Sequence, residues 1–200
     1  MKAFFSALPA IFALLALNIG AIHSQAADDR LAPEKECLRA LPTDKCNLEV
    51  TYGTPVDRVQ CDQKIPETDE NIKALNKEPG LKISSATEAI PRGILVSFDP
   101  DARMSNDAKF GFIHWLANVT GSANGDVTIV NTLIDYYPPT PPEGNGWHRY
   151  QFFVFSLSPG SSVSYSNSRR FSLCDFIKDN NLDQPVASTQ YQYERRKRED

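Results

Sequence analysis

The chain has 200 residues, of which 41% are hydrophobic and 23% are charged, and its formal net charge is −4 at pH 7. This acidic balance argues against nonspecific nucleic-acid binding, because such binding depends on a basic face. The length suits one domain with its own core once an N-terminal leader has been removed.

The N-terminus predicts a secretory signal peptide. Lys2 gives a positive start, and the apolar run Phe4–Leu17 is shorter than the roughly 20 residues that a membrane span needs. Pro9 interrupts the run, and small residues ending at Ala26 fit the cleavage rule. We expect cleavage after Ala26 and a secreted, extracellular protein; an uncleaved anchor is the alternative. Loss of Lys2, the only charged residue removed, brings the net charge to −5.

The first part of the mature chain predicts short elements separated by turns. Leu38–Cys46 favours a short helix or turn, Asn47–Tyr52 alternates like a half-buried strand, and Val56–Cys61 is its expected hairpin partner. Residues 62–80 are polar, contain two prolines, and are predicted as loop.

The rest of the chain predicts strands, a constrained loop and one late helix. The expected strands are Leu81–Ser85, Gly93–Phe98, Phe110–Val119, Val127–Thr132, Arg149–Leu157 and Ser188–Glu194. Four prolines and two glycines make Tyr137–Gly146 a loop, and apolar residues at helical spacing predict a helix over Arg170–Ile177. This pattern indicates a mostly β, sandwich-like domain with peripheral helices. No segment after the leader has about 18 consecutive apolar residues, so no stable membrane insertion is expected.

Four cysteines remain after the leader, and an even count in an oxidising compartment favours disulfides. They are Cys37, Cys46, Cys61 and Cys174. Three pairings are open, and the short spacing favours a local Cys37–Cys46 bond. Cys174 falls in a helical pattern, so a buried free thiol is its alternative. Without a CxxC pair, neither a redox motif nor a zinc knuckle is predicted.

Two further features bear on secretion. Asn118-Val119-Thr120 is an N-glycosylation acceptor, which a secreted chain can use if Asn118 is exposed. The tail at residues 195–200 begins with a basic run and is expected to be solvated. A cleavage site for a basic-specific protease and a contact with anionic lipid are the alternatives for this tail.

Acids, histidines and a tyrosine fall where predicted strands begin and end. Asp99 and Asp101 follow one strand, His114 lies inside the next, and His148 and Tyr150 begin the late strand after the proline-glycine loop. If these strands are neighbours, the side chains converge. A carboxylate orients a histidine and favours its charged form, and a tyrosine hydroxyl and loop amides add donors. The pattern predicts a small polar pocket for a phosphate or a carboxylate.

Each feature also has a plainer interpretation. His114 alone is more typical of a satisfied core histidine, and the Asp99-Pro100-Asp101 stretch alone of a capped turn. Two histidines and two acids could hold a metal, but neither HxH nor HExxH spacing supports this. No GxSxG motif supplies a nucleophile, so we expect binding without catalysis and without a cofactor.

Four stretches carry a resemblance to a known family. They are FDPDA at 98–102, HW at 114–115, PPEGNGWHRYQFFVF at 141–155 and FSLCDFIKDNNLDQPVASTQYQYE at 171–194. In this order and spacing the chain resembles the phosphatidylethanolamine-binding protein family, which includes the Raf kinase inhibitor proteins. The leader makes it similar to the secreted invertebrate members. The resemblance implies a β-sandwich with a large central sheet and a C-terminal helix. The resemblance runs from about Leu48 to Glu194. Together with the predicted leader and tail, it divides the chain into residues 1–26 (signal peptide), 27–46 (N-terminal segment), 47–194 (main domain) and 195–200 (tail).

The resemblance also implies an anion pocket. Its expected residues are Asp99, Asp101, Phe112, His114, Pro141, Pro142, His148, Tyr150 and, closing the mouth, Tyr191. Three departures bear on the ligand preference. Arg103-Met104-Ser105 stands where proline and serine are frequent, Thr140 stands where glycine is common, and the His114–Gly121 stretch is one residue shorter.

These features predict a secreted binding protein for phospholipid head groups or other small phosphorylated anions. The alternative is a secreted serine-protease inhibitor or signalling modulator that acts by contact with a protease or receptor. The signal peptide disfavours kinase inhibition in the cytosol. Anion affinity is expected to strengthen as pH falls, provided that His114 or His148 becomes charged in the complex.

Overall fold

The structure is a computed structural model that describes residues 45–102 and 110–197. Those residues form nine strands and two short helices. The strands are β1 (Leu48–Thr51), β2 (Gln63–Ile65), β3 (Gly80–Ile83), β4 (Ile90–Asp99), β5 (Gly111–Gly121), β6 (Asp126–Ile134), β7 (His148–Ser156), β8 (Arg170–Phe171) and β9 (Ala187–Tyr193). The helices are α1 (Asp69–Leu75) and α2 (Leu173–Asp179).

Eight strands follow one path in the order β1-β3-β6-β5-β4-β7-β9-β2, and β8 pairs with β5. The run Ile94–Phe98 of β4 is apolar except for one serine and fully buried, as expected for a strand covered on both faces. The side-chain amide of Asn47 donates to the carbonyl of Val186 and accepts from the backbone N–H of Ser188. These two bonds bring the start of β1 to β9, so the sheet is curled.

An apolar core lies on each face of the sheet. One core lies inside the curl and includes the buried rings of Trp115, Tyr150 and Tyr191. The other is covered by α2, which contributes Leu173 and Phe176. Truncating one such side chain costs about 2–5 kcal/mol. Because β4 and β7 are packed on both faces, the residues at their ends are held on a rigid scaffold.

The predicted fold class, mostly β with a large sheet and a late helix, is confirmed. The helix is shorter than predicted at its start, because Arg170–Phe171 forms β8 on the edge of β5. Ser172 then caps α2, since its hydroxyl accepts from the N–H of Asp175 at 3.2 Å.

Two local predictions are wrong. Val56–Cys61 forms no hairpin strand; only an isolated bridge joins Val56 to Gly53, and β1 pairs with β3 instead. Residues 62–80 contain β2 and α1 rather than a continuous loop. Thr68 caps α1 by accepting from the N–H of Asn71 at 3.2 Å, and two acidic residues follow in the first turn. These are ordinary signals for the start of a helix.

The disulfide arrangement differs from the favoured one. Cys46 is bonded to Cys61, so the predicted Cys37–Cys46 bond is wrong. The bond joins the start of β1 to the turn before β2, two segments that the curl of the sheet brings together. Cys174 is also disulfide-bonded, which agrees with its prediction as a disulfide cysteine and excludes the alternative of a buried free thiol.

Several predictions fall on residues outside the described ranges. They are the signal peptide at 1–26, Cys37, most of Leu38–Cys46, Arg103-Met104-Ser105 and the end of the tail. In the part of the chain that the structure covers, neither helix has the length and apolar character that crossing a bilayer requires.

The glycosylation acceptor Asn118 lies inside β5 and is partly buried between β4 and β6. The β5–β6 pairing shifts its register between Asn118 and Val119, so the strand is irregular at this point. Glycosylation of Asn118 stays a prediction.

Candidate functional site

The ends of β4, β5 and β7 meet the proline-glycine loop around a cavity of about 730 Å³, named here the anion pocket. Eight of the nine predicted site residues line it: Asp99, Asp101, Phe112, His114, Pro141, Pro142, His148 and Tyr150. The strands converge because β4 is hydrogen-bonded to β5 on one side and to β7 on the other.

One wall of the pocket is built on a histidine and a carboxylate. The Nδ1–H of His148 donates to Asp99 Oδ2 at 2.8 Å, and both side chains are buried. The other oxygen of Asp99 accepts from the backbone N–H groups of Asp101 at 2.7 Å and Ala102 at 3.0 Å. Burial opposes charge on the ring, but the hydrogen bond and charge of Asp99 hold the pKa of His148 above its ordinary value. This wall therefore favours the charged imidazolium.

The opposite wall is aromatic and holds a neutral histidine. His114 Nδ1 donates to the carbonyl of Tyr137 at 2.7 Å, and the rings of Phe112, Tyr137 and Tyr150 surround it. Burial lowers the pKa of His114 to about 4. With the proton on Nδ1, the pocket receives Nε2 as an acceptor, for which the described residues supply no hydrogen-bond partner.

Tyr150 forms the floor between the two walls. It is 2% exposed and lines the pocket, yet its hydroxyl has no hydrogen-bond partner among residues 45–102 and 110–197. Burial raises the pKa of this hydroxyl, so it stays protonated and is a donor. The hydroxyl is therefore available to donate to a ligand in the pocket.

The ninth predicted residue, Tyr191, is not at the mouth, so that prediction is wrong. Tyr191 lies directly opposite Tyr150 in the β7–β9 pair, and the two rings stack at a centroid distance of 5.3 Å. Its hydroxyl makes a 2.8 Å hydrogen bond with the hydroxyl of Tyr52 inside the curled sheet. Tyr191 therefore supports the pocket floor from the core.

Asp101 serves the scaffold of the pocket. Its carboxylate accepts from Nε and Nη2 of Arg149 at 2.8 Å each, and from the backbone N–H of Arg149 at 2.9 Å. Burial opposes ionisation, but these hydrogen bonds and the charge of Arg149 lower the pKa of Asp101. The predicted supporting acid thus ties the β4 end to β7.

Five pocket residues were missed from the sequence: Ala102, Tyr137, Thr140, Asn145 and Trp147. Four of them lie in or next to the Tyr137–Gly146 loop. This loop directly precedes His148 in the sequence, and that proximity was the available signal that its residues line the pocket. Asn145 matters most, because its Nδ2 lies 2.9 Å from His148 Nε2. When the His148 ring is neutral, its Nε2 accepts a hydrogen bond from the Asn145 amide.

The tail begins beside this loop, where Arg195 is partly buried, whereas Arg196 and Lys197 are exposed; among the described residues the prediction of a solvated tail fails only at Arg195. Arg195 pairs with Glu143 at 2.8 Å and with Glu67 at 3.8 Å. Its carbonyl accepts from the N–H of Gly144 at 2.9 Å, and the N–H of Arg196 donates to Glu67 at 2.7 Å. Gly144 has a φ of 73°, a left-handed conformation that glycine adopts without strain.

In this pocket His148 is a charged donor, Tyr150 is a neutral donor and His114 is an acceptor. No group of three histidine, cysteine, aspartate or glutamate side chains that could hold a metal ion is present in the described ranges. The arrangement can hold a small anion that also carries a hydrogen-bond donor.

Fold and pocket define a β protein with a small-ligand site at one end of a curled sheet. The family model of the phosphatidylethanolamine-binding protein matches residues 55–192. The chain therefore belongs to the phosphatidylethanolamine-binding protein family.

Two solved structures share this fold. One is the carboxypeptidase Y inhibitor complexed with its cognate proteinase, with a TM-score of 0.57 and 21% identity over 86% of this chain and 96% of that chain. The other is the phosphatidylethanolamine-binding protein from Plasmodium vivax, with a TM-score of 0.56 and 17% identity over 84% and 96%. At these identities the likeness concerns the fold.

Proposed function

We propose that the chain is a secreted binding protein for small phosphorylated anions, including phospholipid head groups, and that it acts without catalysis. The observation that carries the proposal is the hydroxyl of the pocket-lining Tyr150, which has no hydrogen-bond partner among residues 45–102 and 110–197 and lies in the same pocket as the His148–Asp99 pair. A ligand oxygen that accepts from this hydroxyl gains a directed hydrogen bond, which contributes about 0.5–1.5 kcal/mol.

The two histidines have different parts in this proposal. Charged His148 donates its Nε2–H to a phosphate oxygen, and the exposed Asn145 amide turns to donate to the same ligand. Neutral His114 accepts, through Nε2, a hydrogen bond from a protonated phosphate oxygen or from another donor on the ligand. A phosphate group suits this lining because near neutral pH it carries both charge and, in part of the population, a proton.

Secretion is part of the proposal. The Cys46–Cys61 bond and the disulfide-bonded Cys174 are consistent with an oxidising compartment, which agrees with the predicted leader. Glycosylation at Asn118 would then occur during synthesis, before β5 is buried in the sheet.

Protease inhibition is the second candidate. It is supported by the fold shared with the carboxypeptidase Y inhibitor. Loss of serine carboxypeptidase activity in the presence of the purified protein would support it. Full residual activity at a large molar excess of the protein would exclude inhibition of that protease.

The test of the proposal uses two tyrosines that face each other across β7 and β9. Tyr150→Phe removes the unpartnered hydroxyl, so phosphoethanolamine affinity, measured by calorimetry, should fall roughly ten-fold with little change in stability. Tyr191→Phe removes a hydroxyl that is bonded to Tyr52, so stability should fall by about 1 kcal/mol with affinity unchanged. Absence of binding to the unmodified protein, or equal affinity in Tyr150→Phe, would reject the proposal.

A further inference from the structure

The first residues after β9 are attached to two other segments of the chain. Arg195 pairs with Glu143 of the proline-glycine loop at 2.8 Å and with Glu67, which precedes α1, at 3.8 Å. The carbonyl of Arg195 also accepts from the N–H of Gly144 in the same loop. Residues 195–197, named here the tail strap, therefore join the proline-glycine loop to the start of α1.

The strap becomes exposed after its first residue. The N–H of Arg196 donates to Glu67 at 2.7 Å, and it is the last backbone donor of the tail with a partner in the described part of the chain. The Arg196 side chain is 69% exposed, and Lys197 is exposed as well. The Arg196–Lys197 peptide bond thus lies just beyond the fixed part of the tail, where local opening requires little free energy.

Consecutive basic residues occur in only two places in the sequence, at Arg169-Arg170 and at residues 195–198. Serine proteases with an acidic specificity pocket cleave after basic residues in a segment that can enter their active site. The first pair is held in the fold, because Arg169 donates to the carbonyls of Ile113 and Asp135. Arg170 begins β8, which pairs with β5. Of the two basic runs, the tail is the accessible one.

Hydrolysis between Arg196 and Lys197 would change the charge beside the proline-glycine loop. Water is added across the bond, which leaves a carboxylate on Arg196 and removes the ammonium group of Lys197 with the released peptide. The new carboxylate stands on the residue whose N–H donates to Glu67, so the two negative groups repel. The lost side chain lies over Gly144, where an added Cβ would be 3.4 Å from the Lys197 Cβ. Both changes weaken the contact between strap and loop.

We propose that the tail strap is a processing site for a serine protease that recognises paired basic residues, and that hydrolysis of the Arg196–Lys197 bond loosens the proline-glycine loop and weakens anion binding. The loop carries Asn145, whose Nδ2 lies 2.9 Å from His148 Nε2, so the change reaches the charged wall of the anion pocket. The cut itself is independent of the proposed function, whereas its effect on affinity rests on that function.

The test treats the purified native protein with a serine protease specific for paired basic residues and identifies the retained chain by mass spectrometry. The final product should end at Arg196, and the Arg169-Arg170 pair should stay uncut as the internal control. Affinity for inorganic phosphate, measured by calorimetry, should be about three-fold lower after the cut, because exposed charges contribute only modestly.

Arg196→Gln is the matched variant. It removes the basic pair before the scissile bond and keeps the ion pairs of Arg195 and the backbone contact with Glu67. Its affinity for phosphate should equal that of the unmodified protein. This affinity should also survive the protease, which can still cut after the remaining pair Lys197-Arg198.

Phosphate should in turn slow the cut after Arg196 by about the same factor, relative to chloride at equal ionic strength. The reason is that coupling between two equilibria is reciprocal, and cleavage of a transiently open segment follows its open population. Unchanged affinity after the cut, equal rates in phosphate and chloride, a product that never reaches Arg196, or an earlier cut after Arg170 would overturn the inference and leave the proposed function intact. Absence of phosphate binding to the uncut protein would reject the proposed function and, with it, the effect of the cut.

Discussion

The two walls of the anion pocket hold the same kind of side chain in opposite protonation states. On the β7 wall, His148 donates to a buried carboxylate, Asp99, and its pKa is raised. On the β5 wall, His114 donates to the neutral carbonyl of Tyr137, and burial lowers its pKa to about 4. A full negative charge compensates for the burial of an imidazolium, whereas a carbonyl dipole among aromatic rings does not.

The difference shows how one pocket can present a charged donor and a neutral acceptor within the same small volume. The aromatic wall is held from outside by Arg169, which lies over the rings of Phe112 and Tyr137 and donates to the carbonyl of Asp135 at 2.9 Å. The charged wall depends instead on the Arg149–Asp101 pair and on the loop that carries Asn145. Each wall can therefore be altered separately.

The largest expected effect concerns stability in acid. Between pH 6.5 and about 4 the unfolded chain protonates residue 114 and the folded chain does not, so stability falls as pH falls. His114 should contribute about 3 kcal/mol to this loss. His114→Gln, which keeps an amide donor for the Tyr137 carbonyl, should lose correspondingly less stability over this range in urea unfolding experiments.

His148→Gln is the matched control for that series. The folded pKa of His148 is raised, so its stabilising contribution is complete below its unfolded pKa and is lost as pH rises through the folded value. Below pH 6.5 the stability of His148→Gln should therefore fall with pH as steeply as that of the unmodified protein. The two proteins should differ in pH dependence only at higher pH. If stability fell equally with pH in His114→Gln and in the unmodified protein, the pKa of His114 would not be lowered in the fold.

The next effect is the pH dependence of anion affinity. Sulfate is a suitable probe, because its charge stays fixed while phosphate titrates near pH 6. Its affinity should be highest below the raised pKa of His148 and fall about ten-fold above it, which corresponds to one pKa unit of coupling. Asp99→Asn removes the charge partner and should move the midpoint of this profile to lower pH in a calorimetric titration.

His148→Gln should give a flat sulfate profile, and His114→Gln should leave the midpoint in place. A flat profile for the unmodified protein between about pH 5 and pH 9 would contradict the assignment of charge to His148. If His114→Gln moved the midpoint, the charged histidine would be His114 on the aromatic wall and not His148.

Much of the fold could be predicted because its signals are local. The apolar runs of β4 and β7 and the helical spacing before Ile177 indicate their elements directly. The partner of β1 could not be predicted, because the sequence between Thr51 and Gly80 suggests a hairpin and only tertiary pairing brings β3 beside β1. The Cys46–Cys61 bond was also out of reach, because it joins the segment before β1 to the turn before β2, which come together only in the curled sheet.

The candidate site was predictable where the residue itself carries the chemistry. Asp99, His148 and Tyr150 stand at or near strand ends and His114 lies inside β5, and the structure brings the four together. Tyr191 was misplaced because its position in the chain resembles a mouth residue, while its pairing with Tyr150 places it in the core. The protonation states of His114 and His148 could not be predicted from the sequence either. They depend on whether the Nδ1–H of each ring donates to a carboxylate or to a backbone carbonyl.

The smallest expected effect concerns the tail, which contacts the loop on the side of the charged wall and not the aromatic wall. Arg195→Met keeps an unbranched side chain but loses the pairs with Glu143 and Glu67. Exposed pairs of this kind contribute up to about 1 kcal/mol, so sulfate affinity should fall by less than about five-fold. Amide exchange at Gly144, whose N–H donates to the carbonyl of Arg195, should become faster because the tail is held less firmly.

Arg92→Met is the matched control, because Arg92 near the opposite end of β4 also donates to loop carbonyls, those of Ser158 and Ser161. It should leave both sulfate affinity and exchange at Gly144 unchanged. If Arg195→Met altered the His114 resonances as much as those of His148, the two walls would be mechanically coupled, and the tail would support the whole pocket. A response confined to His148 would show that the fold supports its charged and its neutral histidine through separate contacts.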